Sequence, residues 1–231
     1  MFERSGHAAD STAPAPNPGS AEENRRFLAL WTRCLSDDPT SAERTYAGLI
    51  ELYGESHRYY HTLNHIRHCL AEFDRAAALM DHPDAVEMAL WFHDAIYQPG
   101  SPDNEWRSAE LFRQWSNGRA TPAFEQRVHD LVMVTTHRES PHDHDARFVV
   151  DIDLSSFGLP WEKCEQDGRL IRAEFADLRD DEYYPGHLQF LRVLQGRPTF
   201  FFTEWFQQCY ETVACENVAR IITELQARGY D

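Results

Sequence analysis

The stretch ALWFHDAIYQPG, from Ala89 to Gly100, carries His93 and Asp94 side by side within an apolar segment. Apolar residues surround the pair on every face that a helix through this stretch would present. A helix that is apolar all round is buried, whereas a surface helix has a polar face. Burying an ionised carboxylate is costly unless a partner satisfies it. The stretch therefore predicts a buried helix and a partner, elsewhere in the chain, for Asp94.

Helical patterns also dominate the rest of the chain, with proline and glycine at the breaks. The only short β-like run is RFVVDID, residues 147–153, and no internal repeat is present. We predict an all-α single domain over residues 21–231, preceded by a disordered tail, residues 1–20, that is rich in Pro, Ala and Ser. The predicted helices are Glu22–Leu35, Ser41–Tyr53, Tyr60–Met80, Pro83–Tyr97, Asn104–Trp115, Thr121–His137, Ala146–Phe157, Trp161–Leu178, His187–Leu194 and Thr203–Arg228.

The composition limits the classes of partner. The 231 residues carry a net charge of −16, from 38 acidic and 22 basic residues. Such a surface repels polyanions, so no nucleic-acid partner is expected. Small phosphorylated substrates remain compatible with this charge, because a metal ion and a few arginines can dominate locally.

Cysteine usage and hydropathy indicate the cellular compartment. The five cysteines are odd in number and have no CxxC spacing, which favours a reducing cytosol over a disulfide framework. No apolar run reaches the roughly 18 residues of a membrane span. The N-terminal tail lacks the apolar core of a signal peptide. We therefore expect a cytoplasmic protein with no membrane partner.

His–Asp dipeptides occur four times, and their surroundings separate them. The two within His142–Asp145 fall in a Ser/Pro segment, where solvent is expected to satisfy both groups. The pair His129–Asp130 lies early on a helix and can point outward, so we expect a surface pair. Only His93–Asp94 lies in a segment without a polar face. This pair is therefore the candidate for a metal site between helices.

Two further segments place polar side chains among apolar ones. HRYYHTLNHIRHCL carries His61, His65 and His68 near one helical face. RFVVDIDLSSFG carries Asp151 and Asp153 among large apolar residues. Helices that neighbour the His–Asp pair could supply two more metal ligands from these segments.

Taken together, these residues resemble the HD superfamily of metal-dependent phosphohydrolases, whose signature is a His, then His–Asp, then a distant Asp. The similarity is closer still to an uncharacterised bacterial branch of predicted HD phosphohydrolases, and it runs from about Phe27 to the C-terminal helix. The matching motifs are R-x-Y-H-x-x-x-H (Arg58, Tyr60, His61, His65), F-H-D (Phe92 to Asp94), N-E-x-x-S-A (Asn104, Glu105, Ser108, Ala109), T-x-H (Thr135, His137) and D-x-D-L (Asp151, Asp153, Leu154).

The resemblance implies an HD-domain-like helical bundle with one metal centre. Its ligands would be His65, His93, Asp94 and Asp153, with Asp151 as a hydrogen-bond acceptor beside them. Two imidazoles and two carboxylates suit one divalent transition metal (Mn, Fe, Co, Ni or Zn) better than Mg. A water activated there would attack a phosphoryl group.

The resemblance also implies the reaction, a metal-dependent hydrolysis of a small phosphomonoester or nucleotide. Asp94 would act at the metal, and His61 or Glu105 would transfer protons. Arg58 would clamp the phosphate, although a surface salt bridge is an alternative for it. Substrate binding is also expected from two further side chains, those of Tyr60 and His137. For Glu105, an equal alternative is stabilisation of the first turn of its helix.

Two other functions stay open at the level of sequence. The first is a dinuclear-iron oxygenase of the HD type, which needs two more histidines; His129 and His137 lie in the required interval. The second is a non-catalytic module that senses a metal or a ligand. An oligomer is possible, and the sequence specifies neither the oligomeric state nor the substrate.

Overall fold

The computed structural model describes residues 19–35 and 38–231, and within these ranges every regular element is helical. The all-α prediction is confirmed. The α-helices are α1 (Ala21–Cys34), α2 (Pro39–Tyr53), α3 (Leu63–Ala76), α4 (Pro83–Phe92), α5 (Asn104–Ser116), α6 (Pro122–Met133), α7 (His144–Leu154), α8 (Trp161–Glu174), α9 (Asp180–Gln195) and α10 (Glu204–Ala227). Short 3-10 turns extend α3, α6 and α7 as Ala77–Leu79, Val134–Thr136 and Ser155–Gly158.

The first helix begins with a side-chain cap. The Ser20 side chain accepts from the Glu23 amide, and the Glu23 carboxylate accepts from the Ser20 amide. Reciprocal capping of this kind satisfies amides that have no partner within the helix. Ser20 therefore belongs to the folded domain, although the sequence assigned it to the tail. Residues 1–18 of the predicted tail lie outside the described residues.

Helix α4 forms the centre of the domain and packs against α1, α3, α6 and α7. Its residues from Ala85 to Phe92 are all buried, as the apolar pattern predicts. The helix ends at Phe92, so the expected extension to Tyr97 is wrong. The reason is that side chains bind the backbone beyond it: Ser108 bonds both the amide and the carbonyl of Ile96.

Other helix boundaries also differ from the predicted ones. Helix α3 starts at Leu63 instead of Tyr60, after Thr62 caps the Asn64 amide. The β-like run RFVVDID lies within α7 and is helical. Helix α9 begins at Asp180, well before the predicted start at His187.

The segment His142–Asp145 is not the solvated loop that its composition suggested. Asp143 caps the first turn of α7. Asp145 is fully buried, accepts from the amides of Asp81 and His82, and pairs with Arg127 at 2.7 Å. A buried carboxylate with an arginine and two amides joins the start of α4 to α7, which is a structural role.

The surface prediction for His129–Asp130 is confirmed for Asp130, whose side chain is 62 % exposed, whereas the side chain of His129, which pairs with it, is 16 % exposed. No helix in residues 19–35 and 38–231 combines the length and apolarity needed to cross a membrane.

Candidate metal centre and cavity

Three helices direct imidazole and carboxylate groups to one point. The Nε2 atoms of His65 on α3 and His93 at the end of α4 lie 3.2 Å apart. Asp153 on α7 places Oδ1 3.2 Å from His65 Nε2 and 3.5 Å from His93 Nε2. Two donors bonded to one transition metal ion at about 2.1 Å lie roughly 3.0–3.4 Å from each other. The observed separations therefore fit a shared ion.

The tautomer of His93 supports the same conclusion. Its Nδ1 lies 3.0 Å from the carbonyl oxygen of Leu90, which can only accept, so Nδ1 carries the proton. In the neutral ring Nε2 is then unprotonated, and its lone pair faces carboxylate oxygens. Such an arrangement needs a cation between the groups, either a proton or a metal ion. The donor set therefore fits a transition metal ion.

Asp94 and Cys69 complete the cluster. Asp94 Oδ2 lies 3.1 Å from His93 Nε2 and 3.5 Å from His65 Nε2. Cys69 was not predicted; its Sγ lies 3.6 Å from His65 Nε2. The ligand atoms of His65, Cys69, His93 and Asp153 all lie within 4.8 Å of one another, so this group could hold a metal ion. The i, i+4 spacing from His65 is the sequence signal that could have identified Cys69.

Burial and charge act in opposite directions on this cluster. Burial alone would lower the pKa of His93, but Asp94 and Asp153 raise it well above its usual value. Burial alone would raise the pKa of Asp94 and Asp153, but the surrounding histidines hold both pKa values below the usual one. The cluster therefore retains a positive charge between its carboxylates, and a metal ion would compete with a proton for that position.

His61 is held by a carboxylate that the sequence analysis missed. Glu174, on α8, is fully buried and accepts at 2.6 Å from His61 Nδ1. The same carboxylate accepts from the amides of residues 59–61 and from the hydroxyl of Tyr97. This bond leaves Nε2 as the free nitrogen of His61. Burial alone would lower the pKa of His61, but the nearby carboxylates of Asp94 and Glu174 raise it above its usual value. No local pattern marks Glu174, because its partners lie more than 70 positions away.

His137 joins the cluster from the turn after α6. Its Nε2 lies 2.9 Å from Asp153 Oδ2, so Asp153 contacts histidines through both oxygens. His137 has a φ of 52°, in the left-handed region that residues other than glycine rarely adopt. Its Nδ1 is buried and has no partner among residues 19–35 and 38–231. Backbone strain of this kind is often found at functional sites.

Glu105 and Tyr60 both line the cavity beside the cluster. Burial raises the pKa of Glu105, and Asp94 adds to that effect. Glu105 also occupies the first turn of α5, so the helix-stabilising alternative is compatible with its position. The Tyr60 hydroxyl bonds Ser156 Oγ at 3.1 Å, and its ring packs on His65.

Arg58 does not have the position of a phosphate clamp. Its side chain is fully buried, and its guanidinium donates to the carbonyls of His61, Asp94 and Ala95. The donors that the sequence analysis assigned to a phosphate are bonded to the backbone. The salt bridge of the alternative is present, since Glu55, which is 40 % exposed, accepts from Nε at 3.0 Å, but the Arg58 side chain itself is buried.

Asp151 and His129 lie outside the cluster. Asp151 accepts from the amides of Phe202 and Thr203, so it anchors the start of α10 and does not contact the metal ligands. Two residues that are two positions apart on a helix differ by about 200° in direction. Asp151 and Asp153 therefore point to nearly opposite sides of α7. His129 pairs with Asp130 and does not line the cavity. Of the two histidines that the oxygenase would need, only His137 reaches the site.

The cluster opens into a cavity of about 540 Å³. Aromatic rings form much of its lining, and the described residues that line it include no lysine and no arginine. Its carboxylates come from Asp94, Glu105, Asp153, Asp167 and Glu182. The cavity is therefore acidic and aromatic.

A second group of possible ligands combines Asp81, which precedes α4, with His144 and Asp145 at the start of α7. Asp145 is already satisfied by Arg127 and two amides. His144 Nε2 donates to the Leu79 carbonyl at 2.9 Å, so this nitrogen carries the proton and is not free to bind a metal ion. This group is explained by structure alone.

Comparison of the chain with protein-family models, curated proteins and solved structures returns no match.

Proposed function

We propose that this protein is a metal-dependent phosphohydrolase that acts on a small phosphomonoester. The observation that carries the proposal is the convergence of two imidazole nitrogens, 3.2 Å apart, with two carboxylates that each lie 3.1–3.5 Å from both nitrogens, beside a cavity large enough for a small molecule. The ordered resemblance of the motifs to the HD superfamily supports it. His65, His93, Asp94 and Asp153 would hold the ion, with Cys69 adjacent.

The ion, when bound, supplies an activated water and polarises a phosphoryl oxygen. His61 is the better placed of the two proton-transfer candidates. His61 lines the cavity, the bond from Nδ1 to Glu174 fixes its ring and leaves Nε2 free, and the raised pKa of His61 favours a proton on that nitrogen. We assign His61 as the acid that donates this proton to the leaving oxygen, and Glu174 as its positioning residue.

Glu105 would have a role distinct from that of His61, namely proton exchange with water. Its carboxyl lines the cavity, and no described side chain bonds it. With a raised pKa it would exchange protons with water entering the site. Tyr60 and His137, which both line the cavity, would contact the substrate or its phosphoryl oxygens.

The oxygenase and sensing-module alternatives predict different measurements. An oxygenase of this type needs a second iron, for which His137 and the second oxygen of Asp153 are available while His129 is not. A sensing module would bind metal and ligand without turnover. Metal content per chain and oxygen consumption separate the three functions.

The direct test is phosphate release by metal-loaded full-length protein. Phosphomonoesters and nucleoside mono-, di- and triphosphates should be screened with Mn, Co, Ni, Mg and Zn. We expect metal-dependent hydrolysis that needs no oxygen and is lost in Asp94→Ala, with Asp130→Ala, the exposed counterpart on α6, as control. His61→Gln should retain metal and lose about 100-fold or more in kcat. Oxygen consumption without phosphate release would instead support the oxygenase.

A further inference from the structure

Two glycines within helices face the cavity without a structural need for glycine. Gly168 on α8 and Gly186 on α9 both line it. A Cβ built on either would meet no neighbouring atom within 4 Å. Neither has the positive φ that favours glycine. Close packing and backbone conformation therefore leave both positions open to larger residues.

Other glycines of this chain behave differently. A Cβ at Gly48 would lie 2.8 Å from the Trp115 ring, and one at Gly158 would lie 2.5 Å from Tyr210 Cβ. Packing requires glycine at those two positions. A glycine inside a helix costs about 1 kcal/mol relative to alanine. At Gly168, which is half-buried, the space that glycine leaves lies in the cavity wall, whereas Gly186 also lines the cavity but is exposed.

Most of the other residues of this wall are apolar or aromatic. Helices α8 and α9 each turn one face to the cavity, and we call their lining residues, with those of the intervening segment, the α8–α9 wall. Its members are Cys164, Asp167, Gly168, Ile171, Phe175, Leu178, Glu182, Tyr183, Gly186, His187 and Phe190.

The polar groups of the wall add no free positive charge. His187 has no hydrogen bond within the described ranges, and burial lowers its pKa to about 4, so it is neutral at pH 7. Asp167 pairs with Lys163 at 2.7 Å. Glu182 accepts from the Arg179 amide at the start of α9.

We infer that the α8–α9 wall binds an uncharged aromatic or apolar group of the substrate, with Gly168 and Gly186 providing the space for it. The inference rests on the proposed function for the phosphoryl end, which the metal cluster would hold. Since the described residues of the lining include carboxylates but no lysine or arginine, a second anionic group would be repelled. The substrate class is therefore a phosphomonoester of an uncharged aromatic or apolar alcohol, as opposed to a nucleoside di- or triphosphate.

Binding of phosphonates, which are not hydrolysed, tests this without requiring turnover. Calorimetry on the Mn-loaded full chain should compare benzylphosphonate, methylphosphonate and 4-carboxybenzylphosphonate. We expect benzylphosphonate to bind at least about tenfold more tightly than either of the others, which corresponds to about 1.4 kcal/mol. Gly168→Leu and Gly186→Leu should remove this advantage and leave methylphosphonate binding unchanged. Gln166→Leu and Gln189→Leu, exposed positions on the same helices outside the lining, are the matched controls.

If the leucine variants do not fold, Gly168→Ala and Gly186→Ala replace them, because alanine favours the helix and still fills part of the space. Equal binding of benzyl- and methylphosphonate, retained benzylphosphonate affinity in both glycine variants, or no binding of any probe would overturn the inference. Selective benzylphosphonate binding without hydrolysis of phenyl phosphate would leave the wall in place and remove the proposed phosphohydrolase activity. If both glycine variants hydrolyse phenyl phosphate as fast as the wild type, the phosphohydrolase activity is supported and the proposed role of the wall is removed.

Discussion

The guanidinium of Arg58 donates to the main-chain carbonyl of Asp94 at 2.7 Å, and to that of Ala95 at 2.9 Å. These bonds fix the backbone at the point where α4 ends and the metal cluster begins. Because the carbonyls are buried, an arginine that binds them acts on Asp94 through its backbone.

Arg58→Ala should therefore destabilise the fold by on the order of 2–4 kcal/mol, since buried acceptors lose their donor. Metal affinity should also fall, because Asp94 is no longer held. Urea unfolding and metal content check this, with Arg44→Ala, an exposed arginine on α2, as control. A variant of unchanged stability that shows only a raised KM would restore the phosphate-clamp role predicted from sequence.

Single replacement of the proposed ligands should abolish stoichiometric metal binding. We expect this for His65→Ala, His93→Ala and Asp153→Ala, because each Nε2 or carboxylate lies within 3.5 Å of the others. Cys69→Ser separates two coordination modes. Retained metal would place Cys69 outside the coordination sphere, and lost metal would place it inside.

Asp145→Ala is the control for that series. It should lower the free energy of unfolding by about 3 kcal/mol, since Arg127 loses its buried partner. Metal content in the folded protein should stay at the wild-type level. Elemental analysis after gel filtration measures the whole series. Wild-type metal in Asp153→Ala would contradict the proposed centre.

Chelation should lower the melting temperature. The proposed ligands come from α3, the end of α4 and α7, so a bound ion joins helices that are distant in sequence. An ion present at 100 times its dissociation constant stabilises the native state by about 2.7 kcal/mol. Scanning calorimetry should show a decrease after EDTA and recovery with Mn or Ni. An unchanged transition, with metal loss confirmed, would separate binding from folding.

Acid should destabilise the protein through His187. Burial lowers the pKa of this residue from 6.5 to about 4 in the folded state. Between these values the unfolded chain binds more protons, so the free energy of unfolding decreases as pH falls from about 6.5 to about 4. His187→Phe should show a shallower decrease in urea unfolding of the metal-free protein. His142→Gln, at an exposed position, should follow the wild type.

Local pattern alone was enough for the helical class and for the polar groups that need partners. Helical periodicity and caps are properties of neighbouring residues, which is why α1, α5 and α10 begin and end within about two residues of their predicted limits. An apolar segment around His93 and Asp94 predicts burial because no helical face is polar. The need to pair buried charge pointed to the segments that hold His65 and Asp153, and the choice of these two residues came from the resemblance to the HD superfamily. The structure places His65 3.5 Å from Asp94 and Asp153 3.5 Å from His93.

Only the tertiary structure decided what each polar side chain faces. Arg58 turns to the backbone of Asp94, and Glu174 reaches His61 from 113 residues away. The same packing makes the β-like run of α7 helical and gives Gly168 an open cavity in place of a neighbour. Such directions depend on contacts between segments distant in sequence, whose geometry no local spacing encodes.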